Sequence, residues 1–176
     1  IARLVGSEMC IRDRYNRSVQ AKRQPGSVFK PFVYTTALEN GYTVSQQLLN
    51  QPVVLNVQNT DGSWVKWKPQ NYGGSTGGLT TLREGLRKSL NLISVRIVQQ
   101  DYAPAEQVKR TALRMGISTD IRAVDAIALG TSEVIPLEMV SAYAAYANKG
   151  VYSKPFAITK IEDRYGNTIR EYAPAQ

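Results

Sequence analysis

Gln24-Pro25-Gly26 is a turn signal, and the stretch that leaves it, 27–40, carries apolar residues at helical spacing until Gly41 stops it. Phe29, Phe32, Val33, Thr36 and Ala37 fall on one stripe, so this segment reads as a helix with a buried face. Pro31 lies inside the pattern and lacks the N–H that would bond the Ser27 carbonyl. That loss is tolerable in a first turn, which pins the helix start near Ser27.

Other segments supply the packing partners such a helix needs. Val53, Leu55 and Val57, then Trp64, Val65 and Trp67, alternate loosely about Asp61-Gly62, which predicts a short hairpin over 52–68. A Gly/Ser loop follows over 71–78. Thr81-Leu82-Arg83-Glu84 is a capping-box pattern that opens a helix running to about Lys88. Further helices are predicted over 92–100, over 104–115 with Gly116 as the stop, and over 136–150 with Pro136 at the start. Two strands, 156–162 and 168–172, flank Tyr165-Gly166-Asn167. The expected chain is mostly helical with a little sheet at each end.

Composition narrows the chemistry. At 176 residues this is one domain or a piece of a larger one, and no run approaches the apolar length of a membrane span. The single cysteine, Cys10, makes no internal disulfide. With no histidine at all, zinc ligation is disfavoured and every Ser-His-Asp or Cys-His scheme is removed. A nucleophile here must find its base in Lys, Asp, Glu or Tyr. The net charge of +8 is concentrated early: residues 1–30 hold seven basic residues against Glu8 and Asp13. No nucleic-acid motif accompanies that charge, so an anionic surface or substrate, or a plain solvated face, is the better reading, and no nucleic-acid partner is expected.

With histidine absent, the pairing to seek is serine with lysine. Two serines have Lys three residues on, Ser27…Lys30 and Ser63…Lys66, a pattern that is weak on its own. Residues three apart share one face of a helix but opposite faces of a strand. Ser63…Lys66 falls in the predicted hairpin and diverges. Ser27…Lys30 falls on a first helical turn, where the ammonium can approach the hydroxyl and the helix start favours an oxyanion. The one Ser-x-Asn, Ser89-Leu90-Asn91, lies between two predicted helices and can face a cleft. On these residues alone, helix capping by Ser27 and by the Ser89/Asn91 pair stays open beside catalysis.

The run from Arg23 through Gln24-Pro25-Gly26-Ser27-Val28-Phe29-Lys30 to Pro31-Phe32 resembles the nucleophile motif of the class A penicillin-binding proteins. The likeness extends to Tyr15-Asn16-Arg17, to Trp67-Lys68-Pro69-Gln70-Asn71-Tyr72 and to Leu82-Arg83-Glu84-Gly85-Leu86 running into Ser89-Leu90-Asn91. Ala128-Leu129-Gly130, Val134-Ile135-Pro136-Leu137-Glu138, Ala142-Tyr143 and Asn148-Lys149-Gly150 complete it, in the family's order. The resemblance implies an α+β chain: a fragment of the penicillin-binding/β-lactamase-like transpeptidase fold, mostly its helical subdomain plus short strands. It implies acyl transfer on peptidoglycan stem peptides, with Ser27 as nucleophile, Lys30 as its base, Ser89 as proton relay and Asn91 holding the substrate backbone. β-Lactams would acylate Ser27 as mimics of D-Ala-D-Ala, and no cofactor is implied. The parent protein would be anchored in the bacterial inner membrane, facing the periplasm, with a glycosyltransferase domain.

Two departures qualify that expectation. The family's Lys-Thr-Gly or Lys-Ser-Gly motif is absent, and Lys149-Gly150 is the nearest approach. That motif supplies a second cation, a carboxylate contact and part of the oxyanion hole. Losing one such donor costs about 100–1,000-fold in rate, so the chain as written is expected to be inactive. The stretch from Leu4-Val5-Gly6-Ser7 to Asp13-Arg14 is similar to a translated sequencing-adapter read. Residues 1–14 are therefore expected to be a non-native segment or a divergent strand, with 15–176 as the partial transpeptidase domain. Rival functions are a D,D-carboxypeptidase or β-lactamase-like serine hydrolase and a non-catalytic penicillin-binding module. No glutamate has Asn four residues on, which disfavours fast deacylation of the class A β-lactamase kind.

Overall fold

The computed structural model describes residues 15–58 and 61–173, so the expectations for residues 1–14 lie outside the described residues. The helix foreseen at Ser27 begins as a 3-10 turn, Gly26–Phe29, and passes directly into α1, Lys30–Glu39. The cause is local. Pro31 has no N–H for the Ser27 carbonyl, and the Lys30 N–H takes that carbonyl instead, the i→i+3 bond of a 3-10 turn. α1 ends with the Tyr42 N–H on the Ala37 carbonyl and the Gly41 N–H on the Leu38 carbonyl, a Schellman ending with glycine in the left-handed position.

The buried stripe is present and wider than expected. Phe29, Phe32, Val33, Thr36 and Ala37 are all buried, and so are Lys30 and Tyr34. α1 is thus a central helix, enclosed on several sides. Packed around it are α2 (Leu82–Arg87), α3 (Asn91–Gln99) and α4 (Ala105–Arg114). Tyr143 of α5 (Pro136–Ala147) meets Phe32 edge to face, with ring centroids 6.3 Å apart. The Thr36 hydroxyl donates to the Phe32 carbonyl of its own helix and accepts from the Thr111 hydroxyl, which ties α1 to α4 without leaving a buried hydroxyl unpaired. Thr81 caps α2 by accepting the Glu84 N–H, as the capping-box pattern predicts.

Among the described residues the named strands form three separate two-stranded antiparallel ladders. The predicted hairpins are β2 (Leu55–Gln58) with β3 (Trp64–Trp67), and β5 (Lys160–Glu162) with β6 (Thr168–Glu171). A third ladder pairs β1 (Gln47–Leu49) with β4 (Leu79–Thr81), and no sequence pattern announces it. It is a long-range pairing of three residues on each strand, too short to show alternation. It closes the loop between the hairpin and α2, and so brings residues 70–71 beneath the start of α3. Among the described residues no helix is long and apolar enough to cross a membrane.

Candidate active site

Ser27 sits on the 3-10 turn with its side chain exposed, and Lys30, three residues on, is almost fully buried at 1% exposure. In a 3-10 turn residues i and i+3 eclipse, so both side chains leave the same edge. The turn is fixed from outside by Gly130. The Gly26 N–H donates to the Gly130 carbonyl at 3.1 Å, while Arg23 and Val134 exchange backbone bonds at 3.0 and 2.9 Å. On the other flank the Tyr143 hydroxyl donates to the Val28 carbonyl at 2.6 Å.

The Lys30 ammonium points at the Ser-x-Asn segment. Its Nζ donates to the Ser89 carbonyl at 2.6 Å, to the Ser89 hydroxyl at 3.0 Å and to Asn91 Oδ1 at 2.7 Å. Three donors thus meet three acceptors. Burial pushes the ammonium down from its ordinary value to about 8, because the charged form has been taken out of water. At neutral pH about a tenth of such a lysine is the free amine. Among the described residues the Ser27 hydroxyl has no hydrogen-bond partner, so the contact foreseen from Lys30 to Ser27 is not made. Lys30 instead joins Ser89 and Asn91, residues about sixty positions away.

Backbone geometry delivers Ser89 to that place. α2 ends as α1 does, with the Leu90 N–H on the Gly85 carbonyl and the Ser89 N–H on the Leu86 carbonyl. Here the left-handed position holds Ser89, at φ 53°, where Gly41 stands at the end of α1. A side chain in that conformation costs about 1–2 kcal/mol relative to glycine. The reversal turns both the carbonyl and the hydroxyl of Ser89 toward Lys30. Close approach of α2 to its neighbours depends on Gly85, where a Cβ would lie 2.6 Å from Ile93 and 2.7 Å from the Tyr34 hydroxyl.

Asn91 opens α3, and its Nδ2 donates to the Gln70 carbonyl at 2.7 Å, which leaves Oδ1 for Lys30. Its amide is therefore engaged at both ends. The sequence reading gave no role to Gln70 or to its neighbour Asn71. Asn71 is buried and accepts the Leu92 N–H at 3.1 Å while donating to Asn50 and to the Ser75 carbonyl. The available signal was the residue at the start of α3: Leu90 has no side-chain oxygen to cap that helix, so a cap had to come from elsewhere. Among the described residues no group of three His, Cys, Asp or Glu side chains is placed to hold a metal ion.

A family model described as the penicillin binding protein transpeptidase domain matches residues 5–175. Penicillin-binding protein 1A of Pseudomonas aeruginosa is 36% identical over 175 residues, covering 99% of this chain and 21% of that protein. The namesake protein of Neisseria meningitidis serogroup A is 38% identical over 174 residues, covering 97% and 21%. The crystal structure of penicillin-binding protein 1A from Haemophilus influenzae superposes with a TM-score of 0.81 at 35% identity, over 92% of this chain and 24% of that one. Penicillin-binding protein A of M. tuberculosis, solved as a ceftriaxone acyl-enzyme, has the same fold at 22% identity and a TM-score of 0.78. The chain spans about a fifth of the length of the curated relatives it matches. An α+β fold, an exposed serine followed three residues on by a buried lysine held on a Ser-x-Asn reversal, and a family match over nearly the whole length agree: this chain belongs to the penicillin-binding protein transpeptidase domain family.

Proposed function

We propose that this chain carries the nucleophile half of a peptidoglycan D,D-transpeptidase site. The observation that carries this reading is the buried Lys30 ammonium held on Ser89 and Asn91, beside an exposed, unbonded Ser27 hydroxyl. Ser27 Oγ attacks the carbonyl between the two terminal D-alanines of a stem peptide, and the neutral fraction of Lys30 takes its proton. The Lys30–Ser89 hydrogen bond is a path by which that proton reaches the departing D-alanine amine as the C–N bond breaks. An amino group from a neighbouring strand then displaces Ser27 and completes the cross-link. Asn91 binds the substrate backbone in this scheme, which requires it to release one of its two present partners. β-Lactams acylate Ser27 by the same attack.

The whole protein is proposed to work at the periplasmic face of a bacterial inner membrane, with its anchor and a glycosyltransferase domain outside this stretch. The division at residue 15 belongs to the same proposal. Re-amplification of the gene tests whether residues 1–14 are native.

The deciding experiment places residues 15–173 in the matching segment of Pseudomonas aeruginosa penicillin-binding protein 1A and incubates the chimera with a fluorescent penicillin. A single covalent adduct on Ser27, lost in Ser27→Ala at unchanged melting temperature, is expected. An intact, folded chimera that takes no label would overturn the assignment. The 176-residue chain alone, without a Lys-Thr-Gly motif, is expected to take none.

A further inference from the structure

α3 begins at Asn91 with Leu90 in the capping position, and no side chain in its own sequence serves as its cap. The first-turn N–H of Leu92 is taken instead by Asn71 Oδ1, from 21 residues upstream. Asn71 is itself held rigidly: its Nδ2 donates to Asn50 Oδ1 at 2.8 Å and to the Ser75 carbonyl at 2.7 Å, so both donors and the acceptor are used. Asn50 is fastened in turn by the Gly78 carbonyl and the Gly77 N–H. The residue before Asn71 offers its carbonyl to Asn91 Nδ2 at 2.7 Å. An amide with Nδ2 so occupied can present only Oδ1 on its other side, and that oxygen faces Lys30.

We propose that Asn71 is a positioning residue of this site: by capping α3 in trans and fixing the Gln70 carbonyl, it sets the amide orientation of Asn91 that receives Lys30. This rests on the transpeptidase reading for its consequence in catalysis, but the coupling from Asn71 to Lys30 is testable without it. Asn71 touches neither Ser27 nor Lys30 in the hydrogen-bond network. Its effect passes through two intermediates, the Gln70 carbonyl and the Asn91 amide. Buried polar groups that are fully satisfied hold a neighbouring group's geometry, and removing one member frees the rest.

Titration of the lysine side chains by carbon–nitrogen NMR in the full chain separates this role from ordinary stabilisation. In Asn71→Ala the ammonium loses a well-oriented acceptor while remaining buried, so its midpoint falls below the wild-type value of about 8. Mere loosening of the fold admits water and moves the midpoint the other way, toward 10.5. Thr119→Ala, which removes a hydroxyl bonded to Glu138 and outside the Lys30 hydrogen-bond network, is the destabilisation control and leaves the midpoint in place. A midpoint in Asn71→Ala that is unchanged or raised overturns the proposal. If that variant does not fold, exchange of the Asn91 side-chain amide protons in the wild type decides. Protection supports the clamp, and exchange at the rate of a free amide overturns it. In the penicillin-labelled chimera the same substitution lowers the acylation rate by on the order of 100-fold and displaces its pH midpoint. Wild-type failure to acylate at Ser27, with the Lys30 shift intact, would refute the transpeptidase reading and leave the coupling standing.

Discussion

Gly130 lies closer to Gly26 than a residue with a side chain at position 130 would permit: a Cβ on Gly130 would stand 2.3 Å from the Gly26 carbonyl oxygen and 2.9 Å from its nitrogen. Gly130 also has φ +64°, in the left-handed region. The contact is backbone on backbone, so no side chain can swing aside to relieve it. Gly130→Ala is expected to cost about 1–3 kcal/mol in urea unfolding, from overpacking and strain together. Because the Ser27 turn hangs on this contact, penicillin labelling of the chimera should fall by more than the stability loss explains.

Ser89→Gly should separate stability from function. Glycine relieves the left-handed backbone at φ 53°, worth about 1 kcal/mol, while Lys30 keeps the residue 89 carbonyl and Asn91 Oδ1 as acceptors. Lost stability from the missing hydroxyl bond is of similar size, about 0.5–1.5 kcal/mol. Thermal unfolding is therefore expected to move little, whereas acylation of the chimera drops sharply for want of the hydroxyl. Ser89→Ala, which loses the hydroxyl and keeps the strain, should be the less stable of the two.

Lys30 makes both activity and stability depend on pH. Its folded midpoint, about 8, is below the ordinary 10.5, so below about 8 both folded and unfolded chains hold the proton and the cost of burying the charge is paid in full. Between about 8 and 10.5 the unfolded chain binds more protons than the folded one, and the Lys30 contribution to stability rises with pH. Above 10.5 it is constant. The acylation rate of the chimera should rise about tenfold per pH unit below that midpoint and level off above it. A rate independent of pH between 6 and 8 would remove Lys30 as the base.

Tyr143→Phe removes the hydroxyl that holds the Val28 carbonyl at 2.6 Å while keeping the ring against Phe32. The site is partly open to water, so the expected cost is about 0.5–1.5 kcal/mol by denaturant titration. A larger change falls on Ser27, one residue before the freed carbonyl. Slower labelling at an almost unchanged midpoint of unfolding is the expected pattern.

Local chemistry settled the elements. Turn residues, caps and stops placed α1, α2, α4 and the two hairpins within a few residues of where they stand, because Pro31, Thr81 with Glu84, Gly41, Gly116 and Asp61-Gly62 act over one turn of chain. The absence of histidine left a serine–lysine pair as the candidate, and the predicted helix and hairpin ranked Ser27 with Lys30 above Ser63 with Lys66.

What the sequence alone could not decide was which groups meet. Helical spacing suggested that Lys30 serves Ser27 directly. In the folded chain its three hydrogen bonds go to Ser89 and Asn91, whose approach depends on how α2 reverses at Ser89 and how closely Gly85 lets it pack. The β1–β4 ladder and the Asn71 cap are of the same kind: each joins segments twenty or more residues apart through one to three hydrogen-bonded groups, and nothing in the local pattern of either partner records the other. Spacing along the chain governs what shares a helix face. Burial and the need to satisfy every buried polar group govern what lies across from it, and only the tertiary structure resolves that.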